Sequence, residues 1–386
     1  ILYAGQLKVR ITDWFFLKDT AVLKYVGLED AVVKLQRSDS NWNYQFIIDS
    51  LASPSPAKKK EGGGLALNLK KVDLKNLRLI KNDLWRGERM EARVGSLVLD
   101  ADKIDLNKSI FLINDVLIDK PFFSILNLPP LRPDSLAHHN TATPDTGMYL
   151  NAGNVLVKVA NLRLSNGGLN IDGNKQTPAA GFDGSHIHLS RLNGTFKHIA
   201  FVKDTLRANV DLTVRDRSGF ELKKLKAAFR FTPQIMEFAS LDLQTGKSRL
   251  GNYYAMKFAD FNRDFGDYIT NVTMEARFHD SKVNTEDIAY FAPELKSWNR
   301  VAQLSGHFQG TVSHFNVTNL VTKVGATTTL MGNLSMKGLP DINTTRISWS
   351  NGTLLSNQHD LATFVPMLKT VTEPNLAALG TIIYRG

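Results

Sequence analysis

Apolar and polar residues alternate along most of the chain with a period of two. Val155, Val157 and Val159 run on into Leu162 and Leu164. Val210, Leu212 and Val214 alternate with Asp211 and Thr213, Leu241 and Leu243 flank Asp242, and Leu65, Leu67 and Leu69 are separated by Ala66 and Asn68. Residues two apart share one side of a strand, so each run predicts a half-buried β-strand with one apolar and one polar face. Turn-forming residues punctuate the runs at Lys81-Asn82-Asp83, Ser165-Asn166-Gly167-Gly168, Arg217-Ser218-Gly219 and Thr245-Gly246. Short alternating strands at that spacing predict a meander, sandwich, barrel or solenoid-like sheet. From Val94 to Leu126 the pattern predicts one strand around Leu97 and Leu99, a second around Ile104 and Leu106, and a third from Ile110 to Ile113. Val116 and Ile118 continue the third until Lys120-Pro121 breaks the ladder. Ile110 to Ile113 is apolar on both faces, so part of the outer face must meet something apolar.

Helical patterns are few. Thr20 to Leu35 reads as a short helix followed by a strand, and Trp14-Phe15-Phe16 is an aromatic cluster. The clearest helices, near 284–295 and 357–368, are related to each other. At a constant offset of 73, Asn284, Asp287, Ala289, Phe291, Pro293 and Leu295 recur as Asn357, Asp360, Ala362, Phe364, Pro366 and Leu368. The asparagines suit N-caps, and an acid at the third helical position favours the exposed N–H groups. Ile288 and Phe291, like Leu361 and Phe364, are three apart and share a face, and the prolines end the helices. A recurring supersecondary unit predicts a stacked array, with the two helices as core plugs or as gates.

Composition narrows the classes. The chain has 386 residues, 43% of them hydrophobic, which excludes wholesale disorder. It has no cysteine, which excludes a disulfide scaffold, a thiolate metal site and a cysteine nucleophile. The net charge is +10, but residues 1–120 carry 20 Lys+Arg against 16 Asp+Glu. The one dense basic run, Lys58-Lys59-Lys60, lies between Ser-Pro and Gly-rich residues and reads as a linker, so no nucleic-acid partner is expected. No stretch is apolar enough to span a membrane as a helix. The expected organisation is a β/α segment over 1–52, a flexible linker over 53–64, β-strands over 65–127, a Pro-rich loop over 128–147 and β-repeats over 148–386. The opening on Ile1-Leu2-Tyr3 and the closing run to Gly386 read as a segment of a longer protein.

Several strings carry a family resemblance. They are Asp39 to Asp49 before the linker, Val98-Leu99-Asp100-Ala101-Asp102-Lys103-Ile104-Asp105-Leu106 leading into Ile113 to Pro121, Arg215-Asp216-Arg217-Ser218-Gly219-Phe220, and Leu241 to Thr245. With the Asn-x-x-Asp helix repeat they resemble the bacterial AsmA-like proteins, in particular the translocation and assembly module (TamB) type, of a Bacteroidetes-like kind. The resemblance implies a mainly all-β fold: an elongated, curled antiparallel sheet forming an apolar groove, with a few short helices. It implies a periplasmic protein anchored in the inner membrane by a segment outside this chain and reaching the outer membrane. It implies transport of phospholipid acyl chains along the groove, with no enzymatic activity and no cofactor. It also implies a TamA/BamA-type outer-membrane barrel partner, for which the sheet is alternatively an assembly scaffold.

The candidate groove residues are Leu97, Leu99, Ile104, Leu106, Val155, Val157, Val210, Leu212, Leu241 and Leu243. Taken alone, these residues favour an ordinary sandwich core; the resemblance turns the reading toward a conduit. About 25–30 strands at roughly 4.8 Å each would form it. Other motifs read more simply. His186-Ile187-His188 is a candidate metal pair without a third ligand, better read as solvent-facing histidines, and His138-His139 lies in the Pro-rich loop. Gly167-Gly168-Leu169-Asn170-Ile171-Asp172 departs from a calcium repeat at Asn170 and reads as a turn. Asp100, Asp102 and Asp105 read as solvated acids rather than a catalytic set.

Overall fold

In the computed structural model, residues 2–11, 23–39, 41–45, 69–105, 108–133, 149–173, 177–291, 300–341, 344–364, 370–371, 373, 375, 378 and 380–386 are described. The protein is mostly β-strand, with a few short helices. It divides into two compact units, residues 1–219 and 220–386.

The first unit holds β1 (Leu2–Ile11), β2 (Leu23–Arg37), β3 (Lys71–Asp83), β4 (Glu88–Asp105), β5 (Ile110–Asp119), β6 (Phe122–Asn127), β7 (Leu156–Asp172), β8 (His186–Val202) and β9 (Thr205–Asp216). Most neighbours pair antiparallel, in line with the expected antiparallel sheet, and β2–β3, β5–β7 and β6–β7 pair parallel. Parallel neighbours need a long crossover. Those crossovers are the connections after β2 and after β6. The linker at 53–64 and the Pro-rich loop at 128–147, most of which lie outside the described residues, therefore fall between strands that pair directly. At the far end of the β2–β3 pair, Arg37 donates to both carboxylate oxygens of buried Asp83, at 2.9 and 2.5 Å, and stacks over Trp42. A bidentate pair of this kind fixes register as well as charge.

The second unit is a meander of β10 (Glu221–Thr232), β11 (Ile235–Gln244), β12 (Arg249–Lys257), β13 (Thr273–Asn284), β14 (Val301–Gly310), β15 (His314–Val324), β16 (Thr328–Lys337), β17 (Arg346–Ser356) and β18 (Ile382–Arg385). All its pairings are antiparallel. Its described helices are α1 (Phe261–Gly266), α2 (Tyr268–Asn271), α3 (Thr285–Ile288) and α4 (Gln358–Phe364). Among the described residues the strands are fewer and longer than the expected 25–30. Leu97, Leu99 and Ile104, expected on two strands, share the 18-residue β4. Two expected turns are strand as well: Lys81-Asn82-Asp83 ends β3, and Ser165-Asn166-Gly167-Gly168 lies inside β7. The Gly167-Gly168 motif is thus neither a calcium repeat nor a turn.

These strands stay continuous by carrying an extra residue. Asp30, Asn76, Asn166, Ser240, Asp280, Asn319 and Asn351 all have left-handed φ in the middle of a strand. Asn and Asp tolerate that region best among residues with side chains. The geometry is clearest in β10 and β11. Leu225 and Phe229 are four apart on β10 and so share a face, but their partners Leu243 and Phe238 are five apart on β11. The bulge at Ser240 absorbs the additional residue and keeps both apolar partners on that face. The same shift is visible in β3 (Val72 and Leu74, then Leu77 and Leu79) and in β15 (Phe315 and Val317, then Leu320). In the parallel pair the bulges at Asp30 and Asn76 coincide, so the register holds, and Asn76 Nδ2 donates to Asp30 Oδ1 at 2.6 Å.

The buried apolar residues are mostly small: Ala31, Ala101, Val116, Val159, Ala208 and Val210 in the first unit, and Ala227, Ala255, Ala276 and Val317 in the second. Larger residues on the same strands are mainly half-buried. Asn76→Val should test the bulge. A β-branched residue in the left-handed region is expected to cost about 1–2 kcal/mol in urea unfolding. Asn76→Gly should be tolerated at that position.

Candidate functional site: a continuous apolar sheet face

Cross-strand partners in register lie on the same face. In the first unit one such row runs Val9, Val26, Val72, Leu99, Val116, Leu162, Phe196, Val210 across β1, β2, β3, β4, β5, β7, β8 and β9. The neighbouring row runs Leu7, Leu28, Leu74, Leu97, Ile118, Leu164, Gly194, Leu212 across the same strands. No position in either row is polar. The opposite face carries Arg10, Tyr25, Lys71, Asp100, Asp115, Asn161, Lys197 and Asn209 in register.

The second unit repeats the arrangement. Phe229, Phe238, Tyr254, Ala276, Phe308, Val317, Leu334 and Trp349 form one row across β10 to β17. Phe231, Met236, Met256, Met274, Gly310, Phe315, Met336 and Ile347 form the next. The reverse face holds Arg230, Glu237, Ala255, Glu275, Gln309, Asn316, Ser335 and Ser348. Several of its charges are paired: Arg230 with Glu237, Lys257 and Arg277 with Glu275, Lys224 and Arg249 with Asp242. That pairing keeps these five cations in salt-bridged sets.

Four of the sequence candidates fall on these rows. Leu97, Leu99, Val210 and Leu212 occupy the two long rows of the first unit. Ile104 and Val157 share a third row with Phe111, Phe201 and Leu206. Val155 immediately precedes β7, two residues from Val157. Leu243 pairs with Leu225 and Leu250, and Leu241 is buried on the same strand. Leu106 lies outside the described residues. The methionine row was not anticipated, because each strand contributes only one methionine to it. Its signal was present all the same: Met236, Met256, Met274 and Met336 each stand two residues from an apolar partner in the adjacent row, Phe238, Tyr254, Ala276 and Leu334.

Helices α1 and α2 cover one end of this face and were also missed. Phe258, Phe261, Phe265 and Tyr268 are spaced three, four and three apart, a helical stripe. Asp260 caps the start, its carboxylate accepting from the Arg263 N–H at 2.8 Å. The rings pack in sequence at 5.6, 4.4 and 5.8 Å, and Phe261 reaches Phe231 of the methionine row at 5.8 Å. Tyr268 Oη lies 3.3 Å from Tyr254 Oη and 3.4 Å from Met274 Sδ. Burial pushes the Tyr254 phenol well above its ordinary range.

The helix repeat is present but shorter than expected, four residues in α3 and seven in α4. Asn284 and Asn357 cap as anticipated, accepting from the Glu286 and Asp360 N–H groups at 2.8 Å each. The acids do something else: each binds a hairpin turn two strands back. Asp287 accepts from the hydroxyls of Thr245 and Ser248, both at 2.6 Å, and from the Lys247 N–H. Asp360 accepts from the Thr327 N–H at 2.8 Å and the Thr327 hydroxyl at 2.7 Å, with the Thr328 hydroxyl at 3.4 Å. Phe291 is 61% exposed, its ring against Tyr290 and Phe220, so it is not a buried plug. Pro293 and Pro366 lie outside the described residues, as does the side-chain environment of Phe364.

His186 and His188 do not converge on a common point. His186 is buried rather than solvent-facing, with Nδ1 2.9 Å from Asp183, and His188 Nε2 lies 2.6 Å from Asp172. The Ala179 N–H, together with His186, holds the Asp183 carboxyl at about 2. Among the described residues no three His, Cys, Asp or Glu side chains are grouped to hold a metal ion, and no helix is long and apolar enough to cross a membrane.

Removing either repeat acid strands hydroxyl and N–H donors. Asp287→Ala and Asp360→Ala should each cost about 1.5–3 kcal/mol in denaturant unfolding. Hydrogen bonds from the Thr327 hydroxyl and N–H hold Asp360 below its ordinary 3.8. Its stabilisation is therefore complete above the unfolded value and lost as pH falls through the lower folded one. Thermal melts from pH 5 to 2 should show a shallower acid decline for Asp360→Asn than for the parent. Compared with protein-family models, curated proteins and solved structures, the chain matches none.

Proposed function

We propose that the apolar face is a track for lipid acyl chains, in a TamB-like periplasmic conduit between the inner and outer membranes. One observation carries this reading: apolar residues run unbroken in register across eight strands of each unit, yet most of the large ones are only half-buried. An apolar surface that continuous needs a cover. The buried side chains are small, as suits a single sheet whose second layer is something other than protein. Acyl chains supply such a layer by non-directional burial, at roughly 0.8 kcal/mol per methylene. No step in this requires a catalytic group or a cofactor.

The methionine row supports the same reading. Thioether side chains are flexible and polarisable, and adapt to occupants of varying shape. The polar reverse face, with its paired charges, suits an aqueous compartment. A substrate held only by methylene contacts is selected weakly, so a mixture of phospholipids is the expected cargo.

Photo-crosslinking amino acids at Leu97, Leu212 and Met256 in cells should yield phospholipid adducts, whereas the same probes at Lys71 and Asn316 on the reverse face should not. Leu97→Asp or Leu99→Arg should block phospholipid transfer while leaving circular dichroism unchanged. Adducts confined to outer-membrane barrel proteins, or normal transfer by both variants, would overturn the reading in favour of an assembly scaffold.

A further inference from the structure

In the first unit the strand opposite β4 is broken between β5 and β6. Both strands pair with β4 and with β7, but Lys120 and Pro121 between them make no ladder pairs with β4. An open cavity of about 630 Å³ lies at this gap. Its lining brings together Arg78, Arg93, Lys120 and Arg191 with one acid, Asp30, and the Phe122 ring.

Two features mark this cluster. Arg78 and Arg93, partners across β3 and β4, both direct Nε at the same oxygen, Glu91 Oε1, at 2.9 and 3.1 Å. One carboxylate oxygen between two guanidinium forks leaves the further N–H groups of both without a carboxylate in that pair. The Arg93 guanidinium carbon also lies 4.3 Å from the centroid of the Phe122 ring. Secondly, Lys120 and Arg191 adopt left-handed φ of 50° and 51°. Most strand bulges in this protein place Asn, Asp or Gly there. At the gap the strained positions carry long cations instead, and strain of this kind concentrates at binding sites. The acids nearby are partly engaged: Asp30 accepts from Asn76, and Asp119 Oδ1 accepts from Ser165 while its Oδ2 lies 3.8 Å from Lys120 Nζ, a long and exposed ion pair.

We propose that this gap is a binding site for a phosphate group. Two guanidinium forks, one of them over an aromatic ring, and two exposed cations match the oxygens of a tetrahedral anion, and the apolar residues Leu77, Val94 and Leu189 in the lining allow the group to carry an apolar or ester substituent. Occupancy of the site does not depend on whether the apolar face conducts lipid.

Isothermal titration calorimetry of the full chain tests it with two probes, inorganic phosphate and monomeric dihexanoyl phosphatidylglycerol. Saturable binding is expected. It should weaken about tenfold in Arg191→Gln and in Lys120→Gln, both exposed positions. It should weaken further in Arg78→Gln/Arg93→Gln and stay unchanged in Lys197→Gln on the polar row. Thermal melts confirm that each variant is folded. Binding of both probes supports a general phosphate site, and binding of the lipid alone supports a headgroup site. Absence of saturable binding by either probe, or equal binding by Arg191→Gln and Lys120→Gln, would overturn the proposal. Acyl crosslinks at Leu97 report separately on the track, so the two readings fail independently.

Discussion

Everything in this protein depends on keeping one face of the sheet apolar through strands of up to 18 residues. A strand that slips by one residue sends its entire apolar set to the wrong side. The chain meets that constraint with mid-strand bulges. An Asn, Asp or Ser in the left-handed region adds one residue, and the alternation restarts in phase with the partner strand. The matched bulges at Asp30 and Asn76 show the same device in a parallel pair, where both strands bend together and the register is untouched.

That constraint shapes the energetics. Because the sheet is the main layer of each unit, full burial falls mostly to small residues such as Ala276 and Val317, while most Phe, Met and Leu side chains keep part of their surface accessible. Stability then rests on the backbone ladders, the paired charges of the polar face and the fastening of hairpin turns. Asp287 and Asp360 are such fasteners, each tying a short helix to a turn two strands away. The aromatic stripe of α1 and α2 closes one end of the methionine row in the second unit. What is left is an apolar surface organised by register.

Much of this was legible in the residues. Period-two alternation placed Leu97, Leu99, Val210 and Leu212 on apolar strand faces, and the offset of 73 found both N-cap asparagines. The strand ends were misjudged where bulge chemistry resembles turn chemistry. Ser165-Asn166-Gly167-Gly168 has the composition of a loop but sits inside β7, since Asn and Gly serve either purpose. The α1–α2 stripe at Phe258, Phe261, Phe265 and Tyr268 was overlooked because its period of 3.6 is brief and lies among strands. By composition the linker and the Pro-rich loop read as boundaries, although the strands on either side of each are neighbours in one sheet.

By itself the sequence determined that this is a β protein whose strands are apolar on one side, because side-chain alternation is a local property of each strand. It also determined the helix caps, which need only residues within one turn. Only the tertiary structure decided which strands are neighbours, that three of the pairings are parallel, and that the single apolar stripes join into rows across eight strands. It alone brought Arg78, Arg93, Lys120 and Arg191 together at a break in the ladder. Register couples residues tens of positions apart through backbone hydrogen bonds, and no periodicity within one strand carries that information.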